Sequence, residues 1–258
     1  DVDASAIGCG ATGAGAMSIV LGTYSINQVL GAAPLTDPRW QARAFVRPGQ
    51  WLHMATSPAG AVCLDWAARR LGPLLPDGEP DLPAAVAEAV VALEADPAGF
   101  PLFLPFLYGL PHDPDAEGSW VGLRSGHGRG QLLAAVLEGV AFNHRTHVDA
   151  LREVFPVTGP VRVCGGGARS RAWTQLLCDV LDLPVEVTDA HEAGARGAAL
   201  LAGVGLGEFG DLDDAVARGV RVVRRQTPKP AQVSVRERRY QRYRSVADAL
   251  GRTPVGCG

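Results

Sequence analysis

The chain has 258 residues, 47% of them hydrophobic and 20% charged, with 24 basic against 27 acidic side chains and a net charge of −3. That length suits one large domain or two small ones, and it hides enough surface to need no disulfide or metal staple. The balance of charge gives no basic footprint for nucleic acid, and no run of about 18 apolar residues is present to span a membrane.

The opening DVDASAIGCG has neither a basic n-region nor an apolar h-region, so it does not read as a secretory signal; the missing initiator Met predicts further residues upstream. Punctuation by 32 glycines and 19 prolines separates the predicted elements. Strand-like runs at Met17–Leu21, Ile26–Leu30 and Trp51–Ala55 come first, then helical patterns over Ala59–Leu71 and Leu82–Ala95. A strand is predicted at Leu102–Leu107 and the longest helix at Gly130–Phe155, where Leu133, Val136, Leu137, Val140 and Ala141 belong to one apolar stripe. Val161–Cys164 and Val185–Thr188 read as strands, with helices over Arg171–Leu181, Glu192–Gly203, Leu212–Arg218 and Val235–Leu250. Strands in succession suggest hairpins in the first half, and alternation of helix and strand suggests parallel pairing in the second. The expected fold class is α/β, a mixed sheet flanked by helices in one compact domain, with Gln226–Pro230 tethering the last helix.

Two glycine-rich elements could face phosphate. Gly22 and Thr23 form a sharp connection between two strands, either a plain hairpin turn or a turn whose amides and hydroxyl meet phosphate oxygens. Gly165-Gly166-Gly167 breaks a strand and precedes a helix, which suits a nucleotide or anion. Ser170 occupies the place of the third glycine of a dinucleotide fingerprint, so a nicotinamide oxidoreductase is disfavoured. The match to that fingerprint at Gly8–Gly13 precedes a strand and reads as chance. Lys229, the only lysine, lies between prolines, which excludes a Walker loop and a buried Schiff-base amine. The cysteines Cys9, Cys63, Cys164, Cys178 and Cys257 are scattered and never spaced as CxxC, as expected of inert thiols in a reducing cytoplasm. His144 and His147 share a helix face without a further ligand in a metal spacing, so a polar core contact or helix surface is expected. His112–Asp115 reads as a polar turn.

Several ordered motifs make the reading specific. Gly118-Ser119-Trp120-Val121-Gly122-Leu123, followed after seven residues by Gln131–Val140, resembles the C-terminal signature of the FGGY carbohydrate kinases. Phe103–Gly109, the run from Gly165 to Val180 and Glu192–Ala199 resemble the same family in the same order. Gly22–Asn27, Ser57-Pro58 before Leu64-Asp65-Trp66, and Phe142–His147 are most similar to its L-xylulose and 3-keto-L-gulonate kinase branch.

The resemblance implies one ribonuclease H-like lobe of the actin and hexokinase type, residues 1–258 forming the C-terminal nucleotide-binding lobe of a two-lobed enzyme whose N-terminal lobe lies outside this chain. It implies ATP-dependent phosphorylation of a ketose or keto-sugar acid, with Mg²⁺ held mainly by the other lobe and the nucleotide phosphates. Asp1 matches the catalytic base, with Asp3 as a rival. Gly22 and Thr23 match the turn on the β- and γ-phosphates; Gly166, Gly167 and Ser170 match positions contacting adenosine. Ala61 and Asp65 match positions near adenine, Asp65 standing where glycerol kinases commonly carry an amide. The implied partners are the sugar and the N-terminal lobe, with oligomeric state left open, a homodimer included. The competing class is a nucleotide-binding module of the same fold that performs no transfer.

Overall fold

A computed structural model describes residues 1–111 and 113–251; His112, from the predicted polar turn, and Cys257 lie outside the described residues. In chain order, helix α1 (Val2–Gly8) leads to strands β1 (Met17–Leu21), β2 (Ser25–Gly31), β3 (Gln41–Ala44) and β4 (Trp51–Ser57). Helices α2 (Val62–Leu71) and α3 (Leu82–Ala95), strands β5 (Leu102–Leu104) and β6 (Ser119–Val121) and the long helix α4 (Arg129–Arg152) follow. The remainder is β7 (Val161–Cys164), α5 (Arg171–Leu181), β8 (Val185–Thr188), α6 (Ala193–Gly205), α7 (Leu212–Gly219), β9 (Val222–Gln226) and α8 (Pro230–Gly251). The chain divides into two units, the first Asp1–Thr56 with His144–Pro228, the second Ser57–Asn143 with the chain from Lys229 on.

The first unit is built on a seven-stranded sheet in the order β3-β4-β2-β1-β7-β8-β9. β1 and β2 form an antiparallel hairpin, as do β3 and β4, while β1, β7 and β8 run parallel. Both halves of the predicted pattern are therefore present: hairpins from the first part of the chain, parallel strands joined by a helix from the second. Ile7, Leu30, Leu52, Leu200, Leu212 and Ala215 form a buried cluster within this unit.

Within the second unit, β5 and β6 pair as a short antiparallel ribbon. Its centre is ionic as well as apolar. The buried Glu138 carboxylate accepts from Arg236 Nη1 at 2.8 Å and from Arg239 Nε and Nη2 at 2.9 and 2.7 Å. Arg239 also donates to the carbonyls of Ala98, Phe100 and Pro101, so its charge and its remaining donors are satisfied, while Arg236 Nε stays buried without a partner.

The departures from the predicted elements have local causes. The strand expected over Leu102–Leu107 stops at Leu104, because Pro105 has no N–H for a ladder. The last helix starts at Pro230 rather than Val235, proline being well suited to a first helical position. β3 and β9, each at a sheet edge, carry little apolar alternation and were not expected. Helix α1 was not expected either. It is seven residues long with no side-chain cap, too short to hold itself. It persists by lying directly on α6. A Cβ on Gly8 would fall 1.8 Å from the Ala193 carbonyl oxygen, and one on Gly197 would fall 1.8 Å from that of Ala4. Gly8 thus serves helix packing.

Gly197→Ala is expected to lower stability by about 1–3 kcal/mol through this overpacking. The midpoint of urea unfolding measures it, with Gly205→Ala, whose Cβ meets nothing within 4 Å, as the neutral control.

Candidate functional site

The hydrogen-bonded register of β1 with β2 ends at Leu21↔Ser25, leaving Gly22, Thr23 and Tyr24 as a three-residue turn. Thr23 and Tyr24 are exposed and Ser25 is fully buried, so the turn projects from a fixed base. β7 pairs beside β1 in parallel, Val20 opposite Cys164, and therefore delivers the triple glycine next to this turn. Gly165 has φ +91°, and a Cβ there would lie 2.8 Å from the Leu21 carbonyl oxygen and 3.2 Å from the Gly22 nitrogen. A Cβ on Gly167 would lie 2.5 Å from Leu21 Cγ. A Cβ on Gly166 meets nothing within 4 Å. The two glycine turns are thus brought together by sheet pairing, with the middle glycine exposed to open space.

The triple glycine runs into a short 3-10 turn, Gly166–Arg169, and then α5. Ser170 caps α5, its Oγ accepting from the Trp173 N–H at 3.2 Å. Arg224 on β9 donates from Nη2 to the Ala168 carbonyl and so steadies the 3-10 turn from behind, a role that the arginine-rich strand does not advertise in sequence. A cavity of about 290 Å³ opens beside the turn, lined among others by Cys164, Gly165, Arg169, Thr188, His191 and Arg224.

Asp1 is exposed at the start of α1, where its carbonyl accepts from Ser5 N at 2.9 Å. A Cβ on Gly194, in the first turn of α6, would come within 3.1 Å of Asp1 Oδ1, so the carboxylate lies close against that helix. Asp3, the rival, keeps one buried oxygen without a partner. Ala61 and Asp65 belong to the second unit: Ala61 is the N-cap residue of α2, and Asp65 pairs with Arg69 Nε at 3.0 Å along the same helix.

His144 proves to be a polar core contact rather than helix surface. It is fully buried, with Nδ1 2.8 Å from Asn27 Oδ1 and Nε2 3.3 Å from Ser25 Oγ. Burial, with a smaller contribution from His147, pushes its pKa down to about 3. The spacing of Ser25 and Asn27, two residues apart on one face of a strand, is the only sign of this triad in the sequence. The described cysteines Cys9, Cys63, Cys164 and Cys178 are buried and unbridged.

Comparison with known proteins adds to this geometry. A family model described as "FGGY family of carbohydrate kinases, C-terminal domain" matches residues 17–206. The L-xylulose/3-keto-L-gulonate kinase of Escherichia coli (strain K12) is 31% identical over 252 residues, covering 97% of this chain and 49% of that protein. A xylulose kinase of Klebsiella pneumoniae is 34% identical over 217 residues, covering 82% and 43%. Among solved structures, xylulose kinase from Rhodospirillum rubrum superposes with a TM-score of 0.85 at 31% identity, over 97% of this chain and 50% of that one. The chain spans about half the length of the curated relatives it matches. The mixed sheet flanked by helices is the ribonuclease H-like fold of the actin and hexokinase type.

A histidine whose folded-state pKa lies below its unfolded value binds its proton more readily when unfolded. Its contribution is complete above pH about 6.5 and is lost progressively as the pH falls toward 3. The urea midpoint of the parent chain should therefore drop more steeply across that window than that of His144→Gln, which cannot titrate. Parallel curves would show that burial does not hold the imidazole neutral.

Proposed function

Because the chain belongs to the FGGY family of carbohydrate kinases, we propose that it is the nucleotide-binding half of an ATP-dependent kinase acting on a ketose or keto-sugar acid. The observation that carries this reading is the juxtaposition of the two glycine turns across β1 and β7, with the backbone at Gly166 left open. The ketose and keto-sugar-acid class is supported by the names of the relatives, L-xylulose/3-keto-L-gulonate kinase and xylulose kinase. No described helix is long and apolar enough to cross a membrane. With its described cysteines unbridged, the enzyme is assigned to the cytoplasm in this reading.

In the proposed reaction the sugar hydroxyl oxygen attacks the γ-phosphorus, the bond from that phosphorus to the ADP oxygen breaks, and the hydroxyl proton passes to the Asp1 carboxylate. Amides of Gly22 and Thr23, with the Thr23 hydroxyl, face the β- and γ-phosphates, and preorganised donors of this kind stabilise charge as it develops. Gly166, Gly167 and Ser170 receive the adenosine, the open side of Gly166 letting the backbone approach it closely. Ala61 and Asp65 are assigned to the adenine. Mg²⁺, which would neutralise phosphate charge, rides on the nucleotide and the N-terminal lobe. Among the described residues no group of three His, Cys, Asp or Glu side chains could hold a metal ion, so no residue of this chain is assigned to it. That lobe is also the assigned source of most sugar contacts.

Two substitutions test the reading. Gly166→Val places its Cβ in open space, with nothing within 4 Å, so the fold should persist while ATP affinity measured by calorimetry falls at least about tenfold. An unchanged affinity would remove this turn from the site. In the two-lobed protein, Asp1→Asn should lower kcat for ketose phosphorylation about 10²–10⁴-fold with ATP binding retained, because an amide cannot take the proton. Near-normal kcat would remove Asp1 as the base, and a two-lobed protein that binds ATP yet phosphorylates no ketose or keto-sugar acid would favour the binding module.

A further inference from the structure

We propose that His144 is a positioning residue for the Gly22-Thr23-Tyr24 turn, holding it through Ser25 and Asn27 so that its amides are set for phosphate. The inference rests on the reading of that turn as the phosphate grip and adds a residue that touches no nucleotide.

The hydrogen bonds define one arrangement. Asn27 Nδ2 donates to the Ala55 carbonyl at 3.3 Å, which turns Asn27 Oδ1 toward the imidazole as an acceptor. His144 Nδ1 must then carry the proton, and Nε2 is left as the acceptor for the Ser25 hydroxyl. Ser25 and Asn27 pair with Leu21 and Ile19 of β1, so one ring holds two alternate pairs at the turn end of the hairpin. Leu21 is the residue whose carbonyl packs against Gly165.

The ring is suited to this by its surroundings. Ser25 and Asn27, the groups that face it from β2, are uncharged, and the charge interaction that it does feel comes from His147 on its own helix. Burial keeps it neutral through ordinary pH, so Nε2 stays an acceptor. A protonated ring would present a donor to Ser25 and lose the directionality of the bond. The contact also joins two segments, Gly22–Asn27 and Phe142–His147, that together carry the resemblance to the L-xylulose and 3-keto-L-gulonate kinase branch. An imidazole at 144 needs an acceptor and a hydroxyl two residues apart on the strand, which is a physical reason for the two to occur together.

His144→Asn tests the proposal, because its amide can still donate to Asn27 while the bond to Ser25 is lost. Ser25→Ala removes the same bond from the other side and guards against a folding defect peculiar to one variant. Two measurements are made on the 258-residue chain. Hydrogen–deuterium exchange over residues 21–25 should quicken at least about fivefold in both variants, the size expected for one lost hydrogen bond, with Val161–Cys164 unchanged. Calorimetry should show MgATP affinity down about five- to tenfold and adenosine affinity within twofold, the double variant being no worse than either single one. Unchanged exchange at 21–25, or equal losses for MgATP and adenosine, would overturn the positioning role. If exchange quickens but the parent chain binds MgATP no more tightly than adenosine, the phosphate reading of the turn fails, and with it the functional meaning of the brace.

Discussion

One backbone approach governs the glycine-turn side of the first unit: the Leu21 carbonyl at the end of β1 lies against Gly165 at the end of β7. Parallel pairing of these strands requires it, and only a residue that tolerates φ +91° without a Cβ can accept it. The glycine triplet then divides into separate duties. Gly165 allows the strands to end side by side, Gly167 clears the Leu21 side chain, and of the three only Gly166 has nothing within 4 Å of a Cβ. A glycine-rich run of this kind is mostly scaffold. The open space at Gly166 is what a steric requirement of the sheet leaves over.

The second unit shows the same economy in its family motif. Gly139 is needed because a Cβ there would stand 2.3 Å from the Phe103 carbonyl oxygen, and Gly122 because its φ is +84°. Glu138 is the anion that gathers Arg236 and Arg239 of α8, and through Arg239 it holds the carbonyls that lead into β5. The residues by which the family is recognised in this stretch are therefore packing and charge-burial devices. They mark the fold with certainty and describe the chemistry only through the segments that they hold in place.

How much the sequence discloses depends on where each element gets its stability. β1, β7 and β8 lie where their apolar runs predicted them, with the same bounds, because a strand buried on both faces records its surroundings in its own residues. α1, β3 and β9 record little, since they persist through a neighbour: α6 for the first, β4 and β8 for the others. The site divides in the same way. Gly22 and the triple glycine are visible as turns, yet their adjacency follows only from the pairing of β1 with β7. The imidazole of His144 is visible as a histidine without a metal spacing, but its partners Ser25 and Asn27 are far away in sequence and are named only by the helix that covers the hairpin. The role proposed for Asp1 comes from resemblance, because nothing in its immediate neighbours distinguishes it from Asp3.

The contact between α1 and α6 has a consequence for the way such a protein can change. Helix α1 begins beside Asp1, and it is located by Gly8 and Gly197, where two backbones meet without side chains between them. Every replacement of a glycine adds volume, so neither position has a smaller neighbour through which to drift. A lineage moving that carboxylate could not do so by trimming or swapping core side chains at this seam. It would have to slide the whole helix along its partner, which makes the seam a ratchet that holds the carboxylate while the surfaces around it diversify.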